Sequence, residues 1–327
     1  MEFSFLELMV SFAGGIFGAA IGAFPVWILC GLGVLLGATV AAFTGHQEFT
    51  NIIAWGWFIG PQTAFTGGVA AAAYAAKRKF IDSGRDISTS LLGLEKPSVL
   101  VVGGLFGAIG YVITWGLFNV PNYSEFPWTN VIALSVILNM VLTRFIFGKT
   151  GLFGKREKGQ SCWKPTENAK WVKYQSEPAS LVLLAIAIGL PAAHLSLAVP
   201  NSIGIVFGFV TVLLLFMLMG FNVPVTHHIA LSSSMVTTLT GSIEWGMCFA
   251  VLAAYLGEVC ACLFLYRADT HIDPPTTALI FTFSIFSAVE CLGVFAMPLW
   301  ATWCVIAVVT VGGFVALAKC KKCYCKS

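Results

Sequence analysis

Charge is nearly absent from long stretches of this chain and gathered into a few short ones, and that segregation restricts the possible folds more than any other feature. Of 18 lysines and arginines, thirteen lie between Lys77 and Lys173, one is Arg267 and four end the chain. The apolar segments between them approach the roughly 20 residues that a helix needs to cross a bilayer. With 58% hydrophobic and 10% charged residues, the chain reads as a polytopic membrane protein and excludes a soluble domain. The basic clusters are then topological markers, and no nucleic-acid partner is expected.

The apolar segments can be taken in order. Residues 6–23 and 26–43 form a pair broken at Phe24-Pro25, where proline removes an amide donor. Residues 49–76 follow, interrupted at Gly60-Pro61. A charged loop, 77–96, leads to 97–118 and 130–147. The loop 149–177 holds seven basic residues. Beyond it come 178–199, 203–221, a polar interrupted stretch at 226–241, a long segment at 242–266, and a last pair at 276–295 and 299–318. The first segment has no clear cleavage site and reads as retained. Six of the ten cysteines lie in apolar segments, as small hydrophobes do, so a disulfide framework is not expected.

The two halves correspond element for element. Residues 49–54 (FTNIIA) align with 225–230 (VTHHIA), and 69–74 (VAAAAY) resemble 249–255 (FAVLAAY). Each interrupted stretch is followed by two aspartates at the same spacing, Asp82/Asp86 and Asp269/Asp273. The expected architecture is an all-α polytopic membrane protein with two sequence-related halves of about five to six hydrophobic helical segments each. Interrupted or re-entrant helices occupy corresponding positions. The parts are a first repeat at 1–148, a basic linker at 149–177, a second repeat at 178–318 and a basic, cysteine-containing tail at 319–327. An even number of crossings in each half puts all the basic loops on one side, which favours parallel repeats with about 10 to 12 crossings. The plasma (inner) membrane is the expected location, with basic loops and C-terminal tail cytoplasmic.

The polar stretch of the second half is the first candidate site. With 226–244 taken as a helix or a helix-break-helix, the spacing puts Ser233, Thr237, Thr240 and Glu244 on one face, with His227, Ser234 and Thr238 in an adjoining stripe. Such a face can line a solute or ion path; the bland alternative is that its hydroxyls join helices or bond their own carbonyls. In the first half, Gln62 and Thr63 stand at the Gly60-Pro61 break, flanked by Trp55 and Trp57. They are contacts for a solute if irregular backbone faces a cavity there, and parts of a plain kink if it does not. Glu258 and Glu290, inside apolar helices, are ion- or proton-relay candidates, or else neutral or paired residues between helices. His194 and Glu7 read as structural residues near the interface.

The aspartate pairs allow another chemistry. Two aspartate-rich loops on one side of a helical membrane protein resemble the arrangement in intramembrane prenyltransferases. That resemblance implies Mg2+ held on a prenyl diphosphate by Asp82, Asp86, Asp269 and Asp273. The alternative roles are helix caps or partners of Arg85 and Arg267. The C-x-x-C-x-C core of the tail, from Cys320, could hold a soft metal or acyl chains, although its lysines alone suffice as a topology anchor. No phosphate-cradling loop and no H-E-x-x-H occurs. The expectation is a permease and not an enzyme: a secondary, ion- or proton-coupled transporter of a small solute, moving between the two interrupted stretches, without cofactor. The lipid bilayer and the solute or ion are its partners, and a homo-oligomer is compatible with it. A prenyl-diphosphate enzyme and a passive channel are the alternatives.

Overall fold

The computed structural model describes residues 1–121, 123, 128–155 and 172–322, and helices account for all the regular structure among them. Five helices are long and apolar enough to span a bilayer: Ala23–Thr44, Pro97–Phe118, Pro178–Ala198, Ile243–Leu265 and Leu299–Cys320. Phe5–Ile21, Val131–Phe147 and Ile203–Leu218 are shorter and equally apolar. Most of the 149–177 linker and the Cys323/Cys325 part of the tail lie outside the described residues.

Helix α1, Phe5–Ile21, begins at Ser4, whose Oγ accepts from the Glu7 amide at 3.2 Å. At Gly22, with φ 99°, the chain turns straight into α2, Ala23–Thr44. Side-chain-bearing residues rarely adopt that backbone, so glycine is needed there. The sequence places this break at Phe24-Pro25 instead. The difference has a simple cause: Pro25 falls in the first turn of α2, where its missing donor interrupts no helical bond.

After α2 comes a wide turn, Thr50–Ala54, then six residues, 55–60, without helix. A second wide turn, Pro61–Phe65, runs into α3, Thr66–Lys77. Carbonyls freed in the gap need donors in place of the missing helical ones, and two side chains supply them. Gln62 Nε2 donates to the Trp55 carbonyl at 2.8 Å, and Thr63 Oγ1 to those of Trp57 at 2.9 Å and Gly60 at 3.1 Å. Helix α4, Pro97–Phe118, packs antiparallel to α1 along a seam of small residues, Gly15 on Gly103 and Gly107 on Ser11. Phe3 meets the rings of Tyr111 and Trp115 edge-on at the far end of this pair. Asn130 caps α5, Val131–Phe147, accepting from the Ala133 amide at 2.9 Å.

The second half opens with one continuous helix: α6, Pro178–Leu184, a wide turn, Ala185–Gly189, and α7, Leu190–Ala198. The wide turn absorbs the missing donor of Pro191. Next come α8, Ile203–Val212, and α9, Leu214–Leu218. Helix α10, His227–Thr240, stops at Gly241 (φ 69°), and Ser242 caps α11, Ile243–Cys260, with its Oγ accepting from the Trp245 amide. The polar stripe is therefore cut by a break between two helices. Glu244 belongs to α11 and takes the Ser242 hydroxyl at 2.8 Å. Helix α12, Pro274–Cys291, and α13, Leu299–Lys322, complete the chain.

The halves meet where α2 lies against α8, with Gly31 on Thr211 and Gly208 on Leu35, and where α12 packs on α5. Loops gather at two ends. At the N-terminal end, the Met1 amine donates to Asn119 Oδ1 and Gln47 Nε2 to Asn201 Oδ1. The opposite end is knitted by Arg144 and is called the Arg144 end below. There Lys149 donates its amide to Asp269 Oδ2 at 2.6 Å, Lys155 donates its own to the Arg267 carbonyl, and Gly84 pairs with Thr270 in an isolated parallel bridge.

Candidate functional site

Both halves contribute to the wall of a cavity of about 520 Å3. From the first half come Trp27 and Val34 of α2, Thr50 and Asn51, Trp55, Trp57, Pro61 and Gln62 around the gap, and Asn130, Ala133 and Val136 at the start of α5. The second half adds Asn201, Ile203 and Phe207 near α8, Leu231, Met235 and Thr238 of α10, and Thr276 and Leu279 of α12. Gln47, Asn51, Asn201 and Phe118 are exposed, so the mouth lies at the N-terminal end. Among the described residues that line it, none carries a charge. Aromatic and aliphatic side chains face the space together with neutral hydrogen-bonding groups, a composition that suits a small uncharged ligand with an apolar body and polar edges.

Under the floor sits a buried polar layer. The His227 ring lies edge-on to Trp27 and Phe207, with centroids 5.1 and 5.9 Å away, and 5.8 Å from His228. Asp273 caps α12, accepting from the Thr276 amide at 2.8 Å and hydroxyl at 2.6 Å, and stands 3.3 Å from His271 Nε2. Beyond this layer a second cavity, of about 30 Å3, is lined by His228, Gln175, Glu258, Tyr266 and Pro274. Tyr266 donates its hydroxyl to Glu258 Oε2 at 3.1 Å.

One buried side chain ties several segments of the chain together at the Arg144 end. Arg144, only 1% exposed, donates from Nε to Thr270 Oγ1 at 2.9 Å, from Nη2 to the Thr270 carbonyl at 2.8 Å, and from Nη1 to the carbonyls of Leu152 at 2.7 Å and Phe264 at 2.6 Å. It joins the last helix of the first half to the loop before α12.

The residues singled out in the sequence separate into groups. Gln62 and Thr238 line the large cavity, and His227 lies under its floor. Thr63 is spent on backbone carbonyls of the gap. Ser233 donates to the Gly189 carbonyl at 2.7 Å, Ser234 to that of Ala192 at 3.4 Å, and Thr237 is buried against Gly246; all three join α10 to neighbouring helices. Thr240 bonds the Val236 carbonyl within α10, and Glu244 lies near the helix turn. Glu258 lines the small cavity, whereas Glu290 and His194 are exposed and apart from either. Ser233→Ala is expected to lower stability by about 1 kcal/mol, the worth of one buried hydrogen bond. Thr238→Ala, whose hydroxyl bonds only its own helix at Ser234, should cost much less. Equal losses in thermal unfolding would contradict this division.

The four aspartates do not converge. Asp82 is exposed, and Asp86 accepts from the amides of Ser88 and Thr89 and from the Thr89 hydroxyl. Asp269 holds Lys149 and Thr150, and Asp273 caps α12. Among the described residues, no group of three or more His, Cys, Asp or Glu side chains is placed to hold a metal ion. Sequence reasoning missed Gln47, Asn51, Asn130 and Asn201, neutral amides at segment ends that only the fold assembles.

A family model described as a family of unknown function (DUF7973) matches residues 1–170 and again residues 157–304. One family thus accounts for each half in turn, and the chain is an internal repeat. No curated protein and no solved structure matches.

Proposed function

The chain belongs to the DUF7973 family of unknown function, and we propose that it is a secondary carrier for a small uncharged solute with hydrogen-bonding edges. The observation that supports this most is the cavity of about 520 Å3 built from both halves, with no charge among its described lining residues, open at the N-terminal end and floored by the buried His227 layer, with the Arg144 contacts beyond that layer. A carrier needs a central site reached from one side at a time, and the boundary between two related halves is where such sites are built. An ion path would need charges or converging carbonyls at its lining, and the described lining residues carry no charge.

In this reading α1, α2, the interrupted pass 50–77, α4 and α5 cross the membrane five times. The continuous helix Pro178–Ala198, then α8 with α9, and α10 to α13 cross it six times. The odd first half puts the N-terminus opposite all the basic loops, so the Arg144 end is cytoplasmic and the cavity faces outward. The first helices of the two halves run in opposite directions and the last ones in the same direction, because α10 adds a pass to the second half. Alternating access would release the Arg144 contacts as the N-terminal end closes.

The test is uptake into liposomes containing the purified protein, with labelled uncharged amides, polyols and nucleobases as probes. Asn51→Ala and Gln62→Ala are each expected to lower uptake of the accepted probe about tenfold, the loss of roughly one hydrogen bond. Only Gln62→Ala should also lower the melting temperature, since its Nε2 holds the Trp55 carbonyl. Uptake of every probe at the rate of protein-free liposomes would sink the reading.

A further inference from the structure

We propose that His227 and His228 pass protons between the two cavities, so that transport is proton-coupled; the coupling, though not the proton site, rests on the carrier reading above. Both rings are only 3% exposed, and together they bridge the space between the cavities. His227 lies behind Trp27 and Phe207, which line the large cavity, and His228 lines the small one beside Glu258.

The hydrogen bonding of the pair marks it out from a structural histidine. Among the described residues, neither nitrogen of His227 has a partner, nor has Nδ1 of His228. A neutral imidazole presents one N–H donor and one lone pair, and each left unused in a buried place costs about 1–3 kcal/mol. His271 shows the contrasting arrangement, its Nε2 within 3.3 Å of Asp273. The space beyond the pair decides what the unpartnered nitrogens serve. At about 30 Å3 the small cavity has room for one water and none for a solute that fits the large one. What can move along the two rings in this conformation is a proton.

The transfer is balanced without another reactant. A proton from the large cavity adds to the free ring nitrogen of His227, and the imidazolium gives up the proton on its other nitrogen to His228. His228 does the same toward the Glu258 carboxylate, and both rings return to the neutral form. One water or a ring turn spans the 5.8 Å between them. The ionisable groups around the pair are Asp273 ahead of α12, with His271 beside it, and Glu258 and Tyr266, which share the small cavity with His228. Asp273 acts electrostatically on both rings and supplies the negative charge that an imidazolium there needs. Helices α2 and α8 bring only the Trp27 and Phe207 rings, Cys30 being turned to the Ala54 carbonyl, and α7 meets α10 through Ala192.

Trp27 provides the test, because an imidazolium quenches the emission of an indole packed against it. The full chain in lipid nanodiscs would be titrated between about pH 4 and pH 9, the range in which histidine changes charge. Wild-type emission is expected to fall on acidification in a one-proton step. His227→Gln and Trp27→Phe should each abolish that step, and His228→Gln should keep it. If His227→Gln fails to fold, Trp27→Phe, which leaves the imidazoles in place, still decides. Titrations that superimpose for wild type and Trp27→Phe would overturn the proposal. A step lost in the variants while no probe is taken up keeps the proton site and removes the carrier. Gradient-independent uptake with superimposable titrations keeps the carrier and removes the proton site.

Discussion

Gly18→Val is expected to leave little or no folded protein. The backbone carbonyl of Ala64 occupies the place that a Cβ on Gly18 would take. Neighbouring Gly14 and Gly15 are pressed in the same way against the carbonyls of Phe58 and Gly103. These carbonyls belong to α4 and to the segment entering α3, so no side chain can swing away, and α1 itself must move. Overpacking a tight core costs about 1–3 kcal/mol even where side chains can give. Here rigid backbone is the obstacle, against a whole-protein stability of about 5–15 kcal/mol. The comparison is Gly116→Ala on α4, where no atom lies within 4 Å of the added carbon. That change should be neutral or stabilise by up to about 1 kcal/mol through helix propensity. Size-exclusion profiles and melting temperatures of the two variants would show the contrast. A Gly18→Val protein that elutes and melts like wild type would mean that the seam is looser than the geometry requires.

The seam and the cavity differ in how far they could be read from the chain. Hydrophobic length alone placed most spans, since nothing but a helix satisfies its own backbone in an apolar setting. Gly60-Pro61 announced the gap in the first half, and the matching aspartate pairs announced the repeat that the twofold family match bears out. The cavity was far less legible. Asn51, Asn130 and Asn201 each look like an ordinary polar residue at the end of a segment, and only the packing of α2 on α8 and α12 on α5 brings them to one space. The hydroxyl stripe of α10 misled for a physical reason. Serine and threonine can bond a neighbouring helix's carbonyl as readily as a solute, and Ser233 and Ser234 do so. Gly241, where the polar stretch ends, turns the chain in the left-handed region and so hands Glu244 to α11, away from the hydroxyls of α10. Arg144 reads in the sequence as one more topological charge beside a basic loop, but its side chain is buried.

Arg144→Met is therefore expected to act on both stability and accessibility. The substitution keeps much of the side chain's bulk and removes donors that serve Thr270 twice, Leu152 and Phe264. The acceptors left behind lose their charged donor, and Asp269 loses the positive charge beside it. Breaking a buried, charge-assisted set of this kind costs about 3–5 kcal/mol. Arg144→Lys should recover less than half of that, because an ammonium is a compact point charge and cannot reproduce the planar fork that reaches all these acceptors. The functional consequence follows from where the bonds are. They tie α5 to the residues on either side of the Asp269 loop, so their loss frees the end of the bundle that this conformation keeps shut. Cys260 and Cys262, buried in wild type and located just before that loop, report the opening. Site-resolved maleimide labelling in nanodiscs is expected to rise at least about tenfold at these cysteines, the change produced by shifting an opening equilibrium by about 1.4 kcal/mol. Exposed Cys291 should label as fast as before. A variant that loses stability without any gain in labelling at Cys260 and Cys262 would leave Arg144 as a structural joint and remove it as the gate.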